Sequence, residues 1–228
     1  MLVYVSAASG CLKANSSTNT SSGVCYVAVM NEAPYSSTMD IYFNGILVST
    51  TGGIAPGEYS SEYGSVKPGN YTVDFKVAGT DSVLYEIPAT AYDTSTFYTL
   101  ILYNTAPKSP AVAAARILDD YSSVSQTTSA YYRFFNLSPD APAVDLYLNS
   151  TVAQTNRSLM DNLTHLSFNA FQPINAGTFT INVNKANTDT VLATLSPNPS
   201  ELVPGTVYTI FLSGTASNLA VTALAETY

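Results

Sequence analysis

The sequence predicts an all-β protein built as two tandem immunoglobulin-like antiparallel β-sandwich domains. Three observations predict it. First, the chain repeats: Met39-Asp40-Ile41-Tyr42-Phe43-Asn44 returns as Val144-Asp145-Leu146-Tyr147-Leu148-Asn149. Residues 69–84 (GNYTVDFKVAGTDSVL) return without a gap as 177–192 (GTFTINVNKANTDTVL), and Phe97-Tyr98-Thr99-Leu100 returns as Val207-Tyr208-Thr209-Ile210. Blocks that keep their order and spacing mark a duplicated unit. Second, Tyr, Val, Ile and Thr are abundant, and branched and aromatic side chains fit a pleated, half-buried surface. Third, turn signals recur at the short spacing expected of a sandwich.

The elements follow in order. Residues 1–23 read as a leader and tether: Leu2-Val3-Tyr4-Val5 is apolar, small residues lead to Cys11, and LKANSSTNTSSG is a polar low-complexity run. The first sandwich is expected over 24–118. Within it, Tyr71, Val73, Phe75 and Val77 share one face and Thr72, Asp74 and Lys76 the other, the period of a strand with one face on a core. Lys67-Pro68-Gly69-Asn70 and Ala78-Gly79-Thr80-Asp81 supply turns on either side. Val83-Leu84-Tyr85-Glu86-Ile87 pairs back as a hairpin. Phe97 to Tyr103 is almost continuously apolar and reads as a central strand covered on both faces. Ala111 to Ile117 is read as a strand. Residues 119–130 (DDYSSVSQTTSA) have no counterpart in the repeat and read as the interdomain linker. The second sandwich takes 131–228, with Phe179, Ile181 and Val183 repeating the inward set. Each copy is roughly 100 residues, a size that supports its own core.

Only 8 basic residues face 16 acidic ones, a net charge of −8. That balance, with the cations scattered, opposes binding to nucleic acid or to anionic lipid by electrostatics. No stretch is long and apolar enough for a transmembrane helix. Charged residues make up 11% of the chain, so Ser, Thr and Asn must carry solubility. Such a surface associates with an extracellular or cell-surface location. The run ending in Cys11 resembles the end of a bacterial lipoprotein signal peptide, in which the Cys is lipidated, although the basic segment is missing and the apolar stretch is short. A disulfide between Cys11 and Cys25, or free thiols, are the alternatives.

The segment Asn136-Leu137-Ser138-Pro139-Asp140-Ala141-Pro142-Ala143-Val144-Asp145-Leu146-Tyr147 carries a further signal. Prolines bracket Asp140 and stiffen a bend, and Asp140 is placed to accept amide hydrogen bonds from the residues after it in an Asx-type turn. The stretch resembles a bacterial extracellular family known as domain of unknown function 4397, whose members carry S-P-D-A-P-x-V-D-x-Y, often in tandem. The resemblance covers essentially 24–228. It implies β-sandwich modules of secreted or lipid-anchored proteins and no established activity. The first copy has Asn31-Glu32-Ala33-Pro34-Tyr35-Ser36-Ser37-Thr38 in place of S-P-D-A-P, then restores Asp40 and Tyr42. A His often placed before the motif is Asn136 here.

Candidate ligand-binding residues are Asp40 with Tyr42, Asp145 with Tyr147, and Tyr59 with Tyr63. A carboxylate beside an aromatic ring suits sugar hydroxyls, a cation or a peptide edge; the same Asp equally suits backbone amides at a strand entrance. Phe171 aligns with Tyr63, which points to a packing position. His165 is the only histidine, and no G-x-S-x-G elbow accompanies it. No catalytic residue, metal site or cofactor is expected: H-E-x-x-H, paired C-x-x-C, EF-hand and glycine-rich phosphate loops are all missing from the sequence. Asp119-Asp120 could help hold Ca²⁺ but more often such acids are simply solvated. The expected role is non-enzymatic: adhesion, display or envelope structure. The alternative is a carbohydrate- or peptide-binding accessory protein, with a cell-surface glycan or protein as partner.

Overall fold

The computed structural model describes residues 23–50, 52–125, 128–198 and 200–228. Residues 1–22 of the predicted leader and tether, Cys11 included, lie outside the described residues. The described residues divide into two compact units: one takes those up to Leu102, Ala111–Leu118 and Tyr228, the other takes those of Tyr103–Pro110 and Asp119–Thr227. Both are β-sandwiches, as the alternation predicts.

In the first unit, one sheet runs β4 (Glu58–Tyr59), β1 (Cys25–Glu32), β8 (Phe97–Asn104), β9 (Val112–Asp119), with β5 (Gly64–Val66) also paired to β1. The other runs β3 (Ile46–Leu47), β2 (Met39–Phe43), β6 (Gly69–Val77), β7 (Val83–Tyr92). Their facing sides close a core of Val27, Val29, Met39, Ile41, Phe43, Val73, Phe75, Leu100 and Leu102, all buried. Thr99 and Ile101, on the other face of β8, are buried too, as expected for a central strand.

The second unit repeats the plan. One sheet is β13 (Gln172–Asn175), β10 (Ser129–Asn136), β18 (Val207–Thr215), β19 (Asn218–Glu226). The other is β12 (Thr151–Arg157), β11 (Val144–Leu148), β15 (Ile181–Lys185), β16 (Val191–Thr194), and β14 (Gly177–Phe179) pairs β17 (Ser200–Leu202). Phe134, Val144, Leu146, Ile181, Val183, Ile210 and Leu212 form its core. Among the described residues, the strands of this unit pair antiparallel except β10–β18, which runs parallel from Tyr131↔Val207 to Asn136↔Leu212. The first strand therefore enters beside the penultimate one, and the sandwich is mixed at its centre.

Both units also share a tyrosine corner. Tyr98 Oη accepts from the Asp93 N–H at 3.1 Å, and Tyr208 Oη accepts from the Val203 N–H at 3.0 Å. This device pins the chain at the entry to a sandwich strand.

The first unit gathers aromatic rings at one end. Phe43, Tyr71, Tyr92 and Tyr98 meet edge to face, and the Arg116 guanidinium lies 4.9 Å from the Tyr92 ring centre and 4.3 Å from that of Tyr98. Cys25 is a fully buried free thiol that donates to the Val66 carbonyl at 3.3 Å. Burial pushes the Cys25 thiol above its ordinary 9.0, and it pushes the Tyr59, Tyr71, Tyr92 and Tyr132 hydroxyls above their ordinary 10.0. The unfolded chain therefore releases these protons first. Stability is fully present below about pH 9 and falls as pH rises through the titration of the unfolded groups and then of the folded ones. Urea unfolding at about pH 8 and about pH 10.5 checks this: the midpoint drops at the higher pH, and an unmoved midpoint refutes the reading.

Candidate functional site

The repeated motif places its polar residues on turn backbones. In β2, Asp40 is buried; its Oδ2 accepts from the Gly79 N–H at 2.9 Å and its Oδ1 from the Ser49 hydroxyl at 3.2 Å. In β11, Asp145 is likewise buried; its Oδ2 accepts from the Asn187 N–H at 2.9 Å and its Oδ1 from the Asn156 N–H at 2.7 Å. Gly79 and Asn187 hold equivalent left-handed positions, φ 70° and 60°, in the turn after β6 and after β15. Only Gly, Asn and Asp adopt that conformation readily. Each turn is then closed by a threonine: Thr80 donates to the Val77 carbonyl, and Thr188 to that of Lys185.

Four residues along the motif, the asparagine does the same for the neighbouring strand. Asn44 Oδ1 accepts from the Thr72 N–H and Asn149 Oδ1 from the Thr180 N–H, both at 2.9 Å. The buried carboxylate thus satisfies backbone donors that a hairpin end leaves unpaired, as buried groups require, and the asparagine does the same at an exposed turn. The tyrosine between them is half-buried in each copy. Lys76 Nζ sits 4.6 Å above the Tyr42 ring, so that face is occupied by an ammonium.

The other candidates disperse. Tyr59 is half-buried in β4 opposite Met30. Tyr63 meets Phe97 edge-on at 5.1 Å, and Phe97 stacks on Tyr26 at 4.5 Å. The equivalent Phe171 packs with Tyr131 and Val207, so this position serves packing in both copies. His165 is exposed; its Nδ1 lies 3.0 Å from Thr164 Oγ1 and its ring stacks on Phe168. The carboxylate in the same loop, Asp161, faces Arg157 instead. Among the described residues, no group of three or more His, Cys, Asp or Glu is placed to hold a metal ion. Asp119 and Asp120 do not act together: Asp119 is buried against Arg133, while Asp120 is exposed and accepts from the Ser122 N–H.

A family model described as a domain of unknown function (DUF4397) matches residues 25–147 and again 130–228. The chain belongs to the DUF4397 family. No curated protein matches it.

Within this DUF4397 chain, the residue at the motif's entrance has a role that sequence reasoning missed. Asn136 is fully buried; its Oδ1 accepts from the Ser138 N–H and its Nδ2 donates to the Arg157 carbonyl. Asn31, also fully buried, accepts from the Ala33 N–H and donates to the Ile54 carbonyl. The signal was present in the sequence as the matched runs Asn31-Glu32-Ala33-Pro34 and Asn136-Leu137-Ser138-Pro139. Asn136 therefore makes the Asx bond expected of Asp140. Asp140 reaches further, accepting from the Ala216 N–H in the β18–β19 turn at 3.0 Å.

Two buried arginines also escaped the sequence reading. Arg133, fully buried on β10, contacts Asp119 at 2.5 Å, Glu226 at 3.0 Å and Thr209 Oγ1 at 2.7 Å, with its guanidinium over the Phe135 and Phe171 rings. Tyr121 donates to Glu226 and stacks on Phe171. From the segment read as the interdomain linker, Asp119 supplies a counter-charge for Arg133 and Tyr121 covers Phe171. Arg157 ends β12 and binds Asp161 in a two-pronged contact, with Asn162 at 2.7 Å, Gln154 as a further partner and the Phe168 ring 4.0 Å below.

Proposed function

We propose that the protein is a non-enzymatic surface module, secreted or lipid-anchored at Cys11 to a bacterial envelope, that serves adhesion, display or envelope structure. The observation that supports this reading is the duplicated use of the motif carboxylate. Asp40 and Asp145 are buried, and each oxygen already accepts a hydrogen bond, so each acts as a fastener of its own sandwich. A general acid or base instead needs a carboxyl group facing the proton it transfers. The tandem repeat, the polar tether and the sparse charge fit a module held away from a surface.

A glycan array probed with wild type, Tyr59→Ala and Tyr147→Ala tests the role, together with a broad hydrolase panel. The expected result is no specific signal on either. Specific glycan binding lost in a variant would favour the carbohydrate-binding alternative, and turnover in the panel would overturn both. Mass spectrometry of the native N-terminus tests the anchor: a lipid-modified Cys11 is expected, and an unmodified, unprocessed Met1 rules it out.

A further inference from the structure

Sheet edges present unpaired N–H and C=O groups, and proteins blunt them with short strands, prolines, charges or bulges. Among the described residues, most edges of this protein carry such devices. β3 and β4 are two residues long. β13 and β16 are four residues long, β13 with Pro173 and β16 with a register shift. β7 contains Pro88 and two register shifts, and β12 is also irregular against β11. β9 carries Arg116.

β19 has none of them. It spans nine residues, NLAVTALAE, and pairs with β18 from Val207↔Glu226 to Thr215↔Asn218 without a shift. It ends the sheet order β13-β10-β18-β19, so among the described residues no strand pairs with its outer side. Its one charge, Glu226, is already held by Arg133.

We propose that β19 is a strand-addition edge whose partner is β19 of a second copy of this chain. The sequence is complementary to itself in an antiparallel register centred on Thr222. Val221 then faces Ala223, Ala220 faces Leu224 and Leu219 faces Ala225, so each pair sets a larger side chain against an alanine. Asn218 faces Glu226, an amide against a carboxylate. The register keeps faces matched: Leu219, Val221 and Ala223 pack on the core side in this unit, and they pair only with residues of that same face. A two-fold contact of this kind uses one patch on both copies. The chain carries a net charge of −8, yet the strand brings no uncompensated charge to the contact.

Sedimentation velocity of the full chain, up to roughly 100 µM, tests the proposal. Wild type is expected to show a monomer–dimer equilibrium. Thr222→Lys sets like charges against each other across the axis and is expected to raise the dimer dissociation constant at least about tenfold, with an unchanged melting curve at dilutions where wild type is monomeric. Ala220→Lys/Leu224→Glu places an ammonium opposite a carboxylate twice and is expected to dimerise more tightly than Ala220→Lys alone. A wild type that stays monomeric throughout overturns the proposal. So does a dimer indifferent to Thr222→Lys, or a double variant no tighter than the single one.

Discussion

Replacing Arg133 by methionine lowers the melting midpoint of the second unit by more than about 10 °C. The guanidinium is fully buried and is shared by Asp119 and Glu226, whose side chains are 0% and 5% exposed. Methionine keeps the aliphatic stem, so what is lost is chiefly the guanidinium itself. What remains is a pair of carboxylates deprived of their cation in a site walled by Phe135 and Phe171. Breaking a buried pair from one side costs about 3–5 kcal/mol. For a unit of this size each 1 kcal/mol moves the midpoint by about 4–8 °C. The rule also predicts the remedy. Arg133→Met/Asp119→Leu/Glu226→Gln removes the stranded charges and recovers most of the loss, because buried ion pairs exchange for apolar groups at little net cost. Scanning calorimetry of wild type, single and triple variants checks both. A single variant that melts with wild type, or a triple variant no better than the single, refutes this account of the network.

Arg157→Ala is expected to destabilise by a similar amount, about 3–5 kcal/mol, for a different local reason. This arginine organises the loop from Ser158 to Ala170. Asp161, held by the guanidinium, also accepts the Ser158 N–H, and Asn162 donates to the Phe134 and Phe168 carbonyls. Without the arginine, a buried carboxylate and a buried amide lose their shared partner. The loop then opens, and Leu163 and Leu166 give a protease its entry. Limited proteolysis should cut the variant within 158–170 at concentrations that leave wild type intact. Arg157→Lys should not rescue it, since an ammonium cannot reproduce the planar two-pronged contact. Equal cleavage of the variant and wild type would refute the role.

The core was legible because it obeys a two-residue period: Val73 and Phe75 in one copy, Ile181 and Val183 in the other. The motif was legible as a pattern, and its Asp was readable as a turn-holding residue from residue type alone. Its contacts were not, since Gly79 and Asn187 lie 39 and 42 residues further on. The arginine clusters were the least legible. Arg133 meets partners 14 and 93 residues away, and the first copy has Ala28 in its place, so the repeat offered no second example. A clue did exist: a lone cation inside the run Ala130-Tyr131-Tyr132-Arg133-Phe134-Phe135, in a chain with few charges, has to find a buried counter-ion. The contacts of the segment from Asp119 onward were hidden for the same reason. Its polar composition says nothing of Asp119 and Tyr121 being required elsewhere.

The pairing of Arg133 with Asp119 has a practical consequence for anyone dissecting the protein. A fragment cut at the visible repeat boundary near residue 130 would inherit the cation and leave one of its two anions behind. The transferable piece is longer than the repeated text. It starts ahead of Asp119, and grafts or truncations drawn from repeat alignments alone would begin too late.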